Sequence, residues 1–375
     1  MSRLKLLADG ILYCNSNPGI RAECAYLPNV IALSDTEMIC FYRIGSAFYA
    51  PDGKLAKLRS MDGGRTWEVE GVVWDPRNDE IPYSYTAPHA TRLRDGALLL
   101  TASRWECTDP DRPVFNPVTG GIRTRETVLF RSMDEGRTWT APEVIELPGE
   151  GLADAPSQII ELDGGRWFLA CELWKDWDEV LPLHIRGFAL FSDDQGRTWK
   201  DRLDFPSAVD SEKMFSHSRY IRMLDGRIAA LQWTQEVETA GDLDLHLTVA
   251  DKTGMKWDSP CPTGIAGQTS WLVDLGDGRL VAVYTRRQGM FPGIAVVLSE
   301  DGGARWDQEN EVVVWDAVGQ EYLGVERRPD YPASHDNIAF GKPNAARLPN
   351  GEIVCSWWCT QACVTHARFA RLRVD

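Results

Sequence analysis

The chain has 375 residues, 43% of them hydrophobic and 10% aromatic, with 32 glycines and 21 prolines. Such a composition can bury a large core but is interrupted too often for long helices. A formal net charge of −15 argues against nucleic acid or an anionic membrane surface as partner, and no apolar run is long enough to span a bilayer.

In chain order, the first element is an apolar segment at Leu4 to Leu7, or Ile11 to Tyr13, with no hairpin partner of its own. Met1 to Gly10 reads as the start of that strand, without the long apolar region and small-residue cleavage site of an export leader. Most of the nine cysteines fall inside predicted strands, as at Cys40, Cys171 and Cys355, where a reduced thiol acts as a small buried hydrophobe. Both features lead to a cytoplasmic expectation.

Two periodic signals then run through the chain. Apolar runs flank a tight turn at Ser34-Asp35, Asp95-Gly96, Asp163-Gly164, Asp225-Gly226, Asp277-Gly278 and Asn350-Gly351. These predict six hairpins with type I′ turns, whose two central residues both need φ > 0. The second signal is Ser-x-Asp-x-Gly-x-x-Trp, found at Ser60 to Trp67, Ser132 to Trp139, Ser192 to Trp199 and Ser299 to Trp306. Successive aspartates lie 72, 60 and 107 residues apart. The long gap hides a worn copy at Ala250 to Trp257, which keeps Gly254 and Trp257 and loses the aspartate. Regular recurrence at this interval indicates a repeat architecture.

Each unit parses into four strands. In the second they are Ala90 to Leu93, Ala97 to Ala102, Glu126 to Arg131 and Glu143 to Leu147, with the box between the third and fourth. The sixth unit supplies Ala345 to Leu348, Ile353 to Trp358 and Arg368 to Val374 and then stops, so the N-terminal strand is expected to complete it and cover the open edge. The predicted fold is all-β: a single six-bladed β-propeller over residues 1–375, built of four-stranded antiparallel blades and closed by the N-terminal strand. Trp105 to Thr124 and Asp316 to Lys342 read as insertions of the kind that form binding loops or lids.

The box resembles the Asp-box (BNR) repeat of the sialidase-like superfamily, and the resemblance covers essentially the whole chain. It implies that Ser, Asp and Gly shape a turn while Trp packs between neighbouring sheets. It also implies sugar chemistry: sialidases hold the substrate carboxylate with three arginines and use a Tyr nucleophile assisted by Glu, with an Asp acid/base. Here Tyr26-Leu27-Pro28 stands in place of the family's Arg-Ile-Pro, and Thr269-Ser270 in place of its Tyr-Ser. A conventional sialidase is therefore not expected.

Topology places the boxes on one face and opens the connections between blades, with the loops between second and third strands, on the other. The carboxylates and histidines carried there are Glu23, His89, Asp154, Glu172, His217 and Asp336. They are the candidate catalytic groups, because glycoside hydrolysis needs a proton donor and a second carboxylate and elimination beside a uronate needs a base such as His with a Tyr acid. Arg21, Arg43, Arg104, Arg219 and Arg286 are candidate clamps for a planar anion. Tyr83, Tyr85, Trp174, Trp233 and Trp271 would offer flat faces to sugar rings, with His335 among the polar contacts. Cys355, Cys359, Cys363 and His366 lack a usual zinc spacing, and no phosphate loop or dinucleotide fingerprint is present, so neither a metal nor a cofactor is expected.

The functional expectation is a glycoside hydrolase acting on a small, acidic oligosaccharide or glycoside. The alternatives are a uronate-directed lyase and a non-catalytic propeller that binds sugar or protein. Convergence of at least two of the six ionisable groups on one pocket separates catalysis from binding.

Overall fold

The computed structural model describes residues 2–147, 152–154, 156–181, 183–205, 212–287, 292–317, 339–361 and 364–375. They form six antiparallel sheets arranged as a β-propeller, and the helical segments among the described residues are single 3₁₀ turns. From the axis outward, blade I is Cys24–Ala32, Met38–Gly45, Lys54–Ser60 and Glu68–Val72. Blade II is Tyr83–Arg92, Leu98–Glu106, Glu126–Ser132 and Glu143–Ile145. Blade III begins with a split inner strand, Leu152–Asp154 and Ile160–Glu161, followed by Trp167–Trp174, Arg186–Ser192 and Lys200–Asp204. Blade IV is Lys213–Arg222, Ile228–Glu236, His246–Ala250 and Cys261–Pro262. Blade V is Ser270–Asp274, Leu280–Arg286, Gly293–Ser299 and Val312–Asp316.

Blade VI joins the two ends of the chain. Phe340–Arg347, Ile353–Gln361 and Val364–Val374 are completed by Leu4–Tyr13, which pairs antiparallel with the last strand from Leu4 opposite Val374 to Tyr13 opposite Ala367. The two apolar segments expected near the N-terminus are halves of this one strand, interrupted by register shifts.

Apolar side chains collect in the seams between neighbouring sheets. Phe41, Leu98 and Phe130 fill the seam between blades I and II, for example, and Val283, Val296 and Trp357 that between V and VI. Each box tryptophan packs towards the preceding blade: Trp139 meets Phe41 edge-on at 5.4 Å, and Trp199 and Trp306 are each only 8% exposed in their seams. Within a box, Ser132 Oγ donates to Asp134 Oδ1 at 2.8 Å and accepts from Gly136 N at 2.9 Å. Asp134 also accepts from the Thr138 amide and hydroxyl at 2.9 and 2.6 Å. The worn copy solves the same problem differently from the expectation. Its aspartate has moved one place, and Asp251 Oδ1 accepts from the Thr253 hydroxyl and the Met255 amide while Trp257 Nε1 still donates to Gly254 O.

The hairpin turns correct another expectation. Gly96 has φ +92° while Asp95 is absent from the positive-φ residues, and Gly96 N donates to Leu93 O while Leu93 N donates to Ala97 O. That is a three-residue type I turn closed by a left-handed glycine, not a type I′ turn. Asp95 earns its place with its side chain, whose Oδ1 accepts from Ala97 N at 2.9 Å. Asp225-Gly226 and Asn350-Gly351 repeat the arrangement.

Of the two predicted insertions, residues 107–124 fold back through a bridge between Phe115 and Ile122 and dock on blade III, with Val114, Phe115 and Ile122 packed against Trp105 and Trp174. Most of the second lies outside the described residues.

Candidate active site

The end of the channel opposite the boxes is built on a backbone device shared by four blades. In blades I, II, IV and VI the inner strand carries one extra residue relative to its neighbour, between Tyr26 and Asn29, Thr86 and His89, Ser216 and Arg219, and Gly341 and Asn344. The residues that take up the bulge, Leu27, Ala87, His217 and Lys342, all have φ between +45° and +55°. A bulge redirects the side chains that follow it. Here it brings Asn29, His89, Arg219 and Asn344 to equivalent places. Leu27-Pro28-Asn29, Ala87-Pro88-His89 and Lys342-Pro343-Asn344 were a readable signal for it, a second repeat beside the boxes.

Two of these positions tie the ring together. Asn344 Oδ1 accepts from Val30 N at 2.6 Å, and Asn29 Oδ1 accepts from Ala90 N at 2.9 Å, so each asparagine caps the inner strand of the next blade. The other two carry ionisable groups. His89 is 8% exposed and Arg219 4%.

Glu172 performs the corresponding cap between blades III and IV. It projects from the second strand of blade III, is 4% exposed, and its Oε1 accepts from Ser218 N at 2.8 Å, with the neighbouring amide of His217 also directed to the carboxylate. Burial works against the charged form, whereas Arg219, the two amides and Lys342 favour it, and burial prevails: the carboxyl is pushed up to about 7. A carboxyl balanced there is about half protonated at neutral pH.

His89 is held neutral, its affinity for a proton driven well down by burial and by the fields of Arg219 and Lys342. Its tautomer follows from its neighbour. Because Asn29 Oδ1 faces Ala90 N, Asn29 Nδ2 is the atom that lies 3.4 Å from His89 Nδ1 and must donate to it. The ring proton is then on Nε2, which is buried and has no hydrogen-bond partner. The Nε2–H of His89 is therefore an enclosed, unpartnered donor. Trp271, from the blade across the axis, stacks on it at 6.4 Å with an interplanar angle of 20°. Trp271 also lines a channel cavity of about 630 Å³ open to the box face, to which Leu33, Arg92, Glu161, Arg222 and Arg347 contribute from other blades.

His217 stacks on Trp233 at 5.8 Å, and Trp233 Nε1 donates to Asp242 Oδ1 at 2.8 Å. Glu172, His89, His217, Arg219, Trp271 and Lys342 thus draw on blades II to VI. Lys342 was not among the candidate site residues, although its bulge position was visible in the Lys-Pro-Asn repeat.

Other candidates are placed elsewhere. Arg43 is fully buried and donates to the carbonyls of Ala47 and Ala50, shaping their loop. Arg104 bonds Glu126 Oε2 at 2.7 Å and Tyr85 Oη at 3.0 Å and lies 3.9 Å above the Tyr83 ring, so these three candidates satisfy one another in the blade I–II region. Arg286 pairs with Glu311 at 2.6 Å. Trp174 supports the docked insertion. Glu23 accepts a hydrogen bond from Tyr13 on the outermost strand of blade VI, and Arg21 is exposed beside it in the chain. Asp154 is the register partner of Glu172. His335 and Asp336 lie outside the described residues.

No family model and no curated protein sequence matches this chain. Solved structures do match its fold. A protein of unknown function from Dyadobacter fermentans superposes with a TM-score of 0.75 at 20% identity, covering 99% of both chains. An α-L-arabinanase from Penicillium chrysogenum, complexed with arabinobiose, gives 0.64 at 14% identity over 98% of both. The Hadza microbial sialidase Hz136 gives 0.64 at 15% identity, with 94% of this chain covering 65% of that one. At these identities the likeness establishes a shared propeller.

Proposed function

We propose that this propeller is a glycoside hydrolase for an acidic sugar, with Glu172 as the proton donor. The observation that carries the reading is that Glu172, raised to about 7, and neutral His89 both lie within the fields of Arg219 and Lys342. The arabinanase and sialidase likenesses supply a background in which this fold processes sugars.

In this reading Arg219 and Lys342 provide the positive field for a sugar carboxylate. Glu172 protonates the glycosidic oxygen as the bond to the anomeric carbon breaks. Asp154, opposite Glu172 in the strand register, is the candidate second carboxylate for activating water or attacking the sugar. The His89 tautomer speaks against elimination, because a base needs an unprotonated ring nitrogen facing the substrate.

The test is a panel of aryl glycosides and uronate-containing oligosaccharides, with products followed by chromatography and near-ultraviolet absorbance. Hydrolysis is expected, falling away as pH rises through about 7, because the donor is then deprotonated. An unsaturated, ultraviolet-absorbing product would establish elimination instead, and a folded protein that turns over nothing would leave the binding reading in its place.

A further inference from the structure

A second cavity, of about 450 Å³, lies between blades IV and V and is lined among others by Lys213, Asp242, Asp244, Ala266, Gln268 and Arg287. We infer that it is a subsite for a neutral, hydroxyl-rich sugar unit adjoining the acidic unit held at the axis, so that the substrate is an oligosaccharide of mixed charge. This deepens the hydrolase reading and rests on it.

The volume suits one sugar ring, within the range of small-molecule pockets. Charge selects the kind of ring. Lys213 and Arg287 are offset by Asp242 and Asp244, so among the described residues the wall presents cationic and carboxylate groups in equal number. Hydroxyl groups both donate and accept and are served by such a wall, whereas a second carboxylate would meet two like charges.

Arg287 adds a cation to the wall. Among the described residues no carboxylate contacts its guanidinium, which donates to Gln268 Oε1 and Phe340 O while its enclosed Nε has no partner. Burial lowers its proton affinity to about 10, opposed only by the field of Asp242.

The cavity is also wired to the axis. Asp242 Oδ2 accepts from Gln268 Nε2 at 2.7 Å while its Oδ1 accepts from Trp233, the ring on which His217 stacks beside Glu172. On the other side Arg287 lies under Gly341, where an added Cβ would fall 2.6 Å from its Nη2, and Gly341 precedes Lys342. Filling the cavity thus bears on both flanks of the reacting centre through Asp242 and Arg287.

The experiment compares the wild type with Ala266→Trp on a panel of mono-, di- and trisaccharides, both neutral and uronate-containing, measuring binding by glycan array and kcat/KM on the substrates that are cleaved. Ala266 is exposed, so the indole enters the cavity without disturbing the core. Disaccharides with one acidic and one neutral unit are expected to exceed the acidic monosaccharide by at least ~10-fold, about 1.4 kcal/mol, and Ala266→Trp to erase that gain. Lys213→Ala is expected to reduce it less, and Val118→Ser, at a 90% exposed loop residue, to leave it intact. Equal binding of mono- and disaccharides, a preference for two acidic units, or an undiminished gain in Ala266→Trp would overturn the subsite. Those outcomes differ from failure of the hydrolase reading, in which no glycoside is cleaved at any length.

Discussion

The two faces of the propeller treat repetition in opposite ways. On the box face Asp62, Asp134, Asp194 and Asp301 perform one task, each accepting from the amide four residues on, with a Thr hydroxyl as further partner in the first three and the Arg305 guanidinium in the fourth, since every turn there meets the same local problem. At the other end the bulge repeats and the side chains do not: its following position is Asn29, His89, Arg219 and Asn344 in blades I, II, IV and VI. Rim turns are separated from one another, so identical residues suit them all. Positions close to the axis meet, and a shared ligand needs different groups from each side.

Substitutions can break this division. The largest stability effect is expected from Trp199→Ala, which empties a seam and should lower unfolding free energy by about 3–5 kcal/mol, while activity per folded molecule is retained. Chemical denaturation with parallel kinetics checks both halves. Activity loss exceeding the unfolded fraction would mean that the box face takes part in the chemistry.

Next comes Glu172→Gln at alkaline pH. A carboxyl whose folded value is raised to about 7 from an unfolded value near 4.3 leaves the wild-type fold undiminished below the unfolded value and weakens it as pH rises through the folded one. The amide escapes that loss and its oxygen can still accept from Ser218 N. The variant should therefore be more stable than wild type by about 1–3 kcal/mol at pH 8, with the advantage fading towards pH 4. Destabilisation at both pH values would mark Glu172 as a structural carboxylate alone.

Gly96→Ala should cost about 1 kcal/mol, because alanine is disfavoured at the left-handed φ there. Asp95→Ala should cost less, losing one hydrogen bond with no relief or increase of strain. The reverse order would restore the type I′ reading. The smallest effect is expected for Asp134→Asn, with a thermal midpoint about 2 °C lower. The Thr138 hydroxyl and amide hold Asp134 well below the usual carboxylate range, so wild type keeps this contribution above the unfolded value near 3.9 and loses it as pH falls towards the folded one. The variant should lack that acid-side dependence in a pH series of melting curves.

The same contrast explains what was legible in the sequence. Boxes and Asp-Gly turns act through neighbours in the chain, so spacing alone placed the blades and required the N-terminal strand. Asp251 shows the limit, since a shift by one position preserves the turn while hiding the motif. At the axis, Glu172, His89 and Arg219 could be placed on the face opposite the boxes, but how they lie to one another depends on strands far apart in the chain. Arg43 and Arg104 share that face and look equivalent in sequence, yet one turns into a loop and the other against Tyr83, Tyr85 and Glu126. Strand alternation decides such cases only once register is known. The unread signal was the Pro-containing bulge, which would have brought in Lys342.

The central claim, that Glu172 donates the proton while the boxes hold the frame, is tested most directly by leaving-group dependence. Wild type and Glu172→Gln are compared on a cleaved sugar joined to a poor leaving group, such as an alkyl alcohol, and to dinitrophenol, which departs without protonation. The account predicts a fall in kcat/KM of roughly 10²–10⁴ for the alkyl glycoside and little change for the dinitrophenyl glycoside. Equal losses on both, or no loss on either, would contradict it.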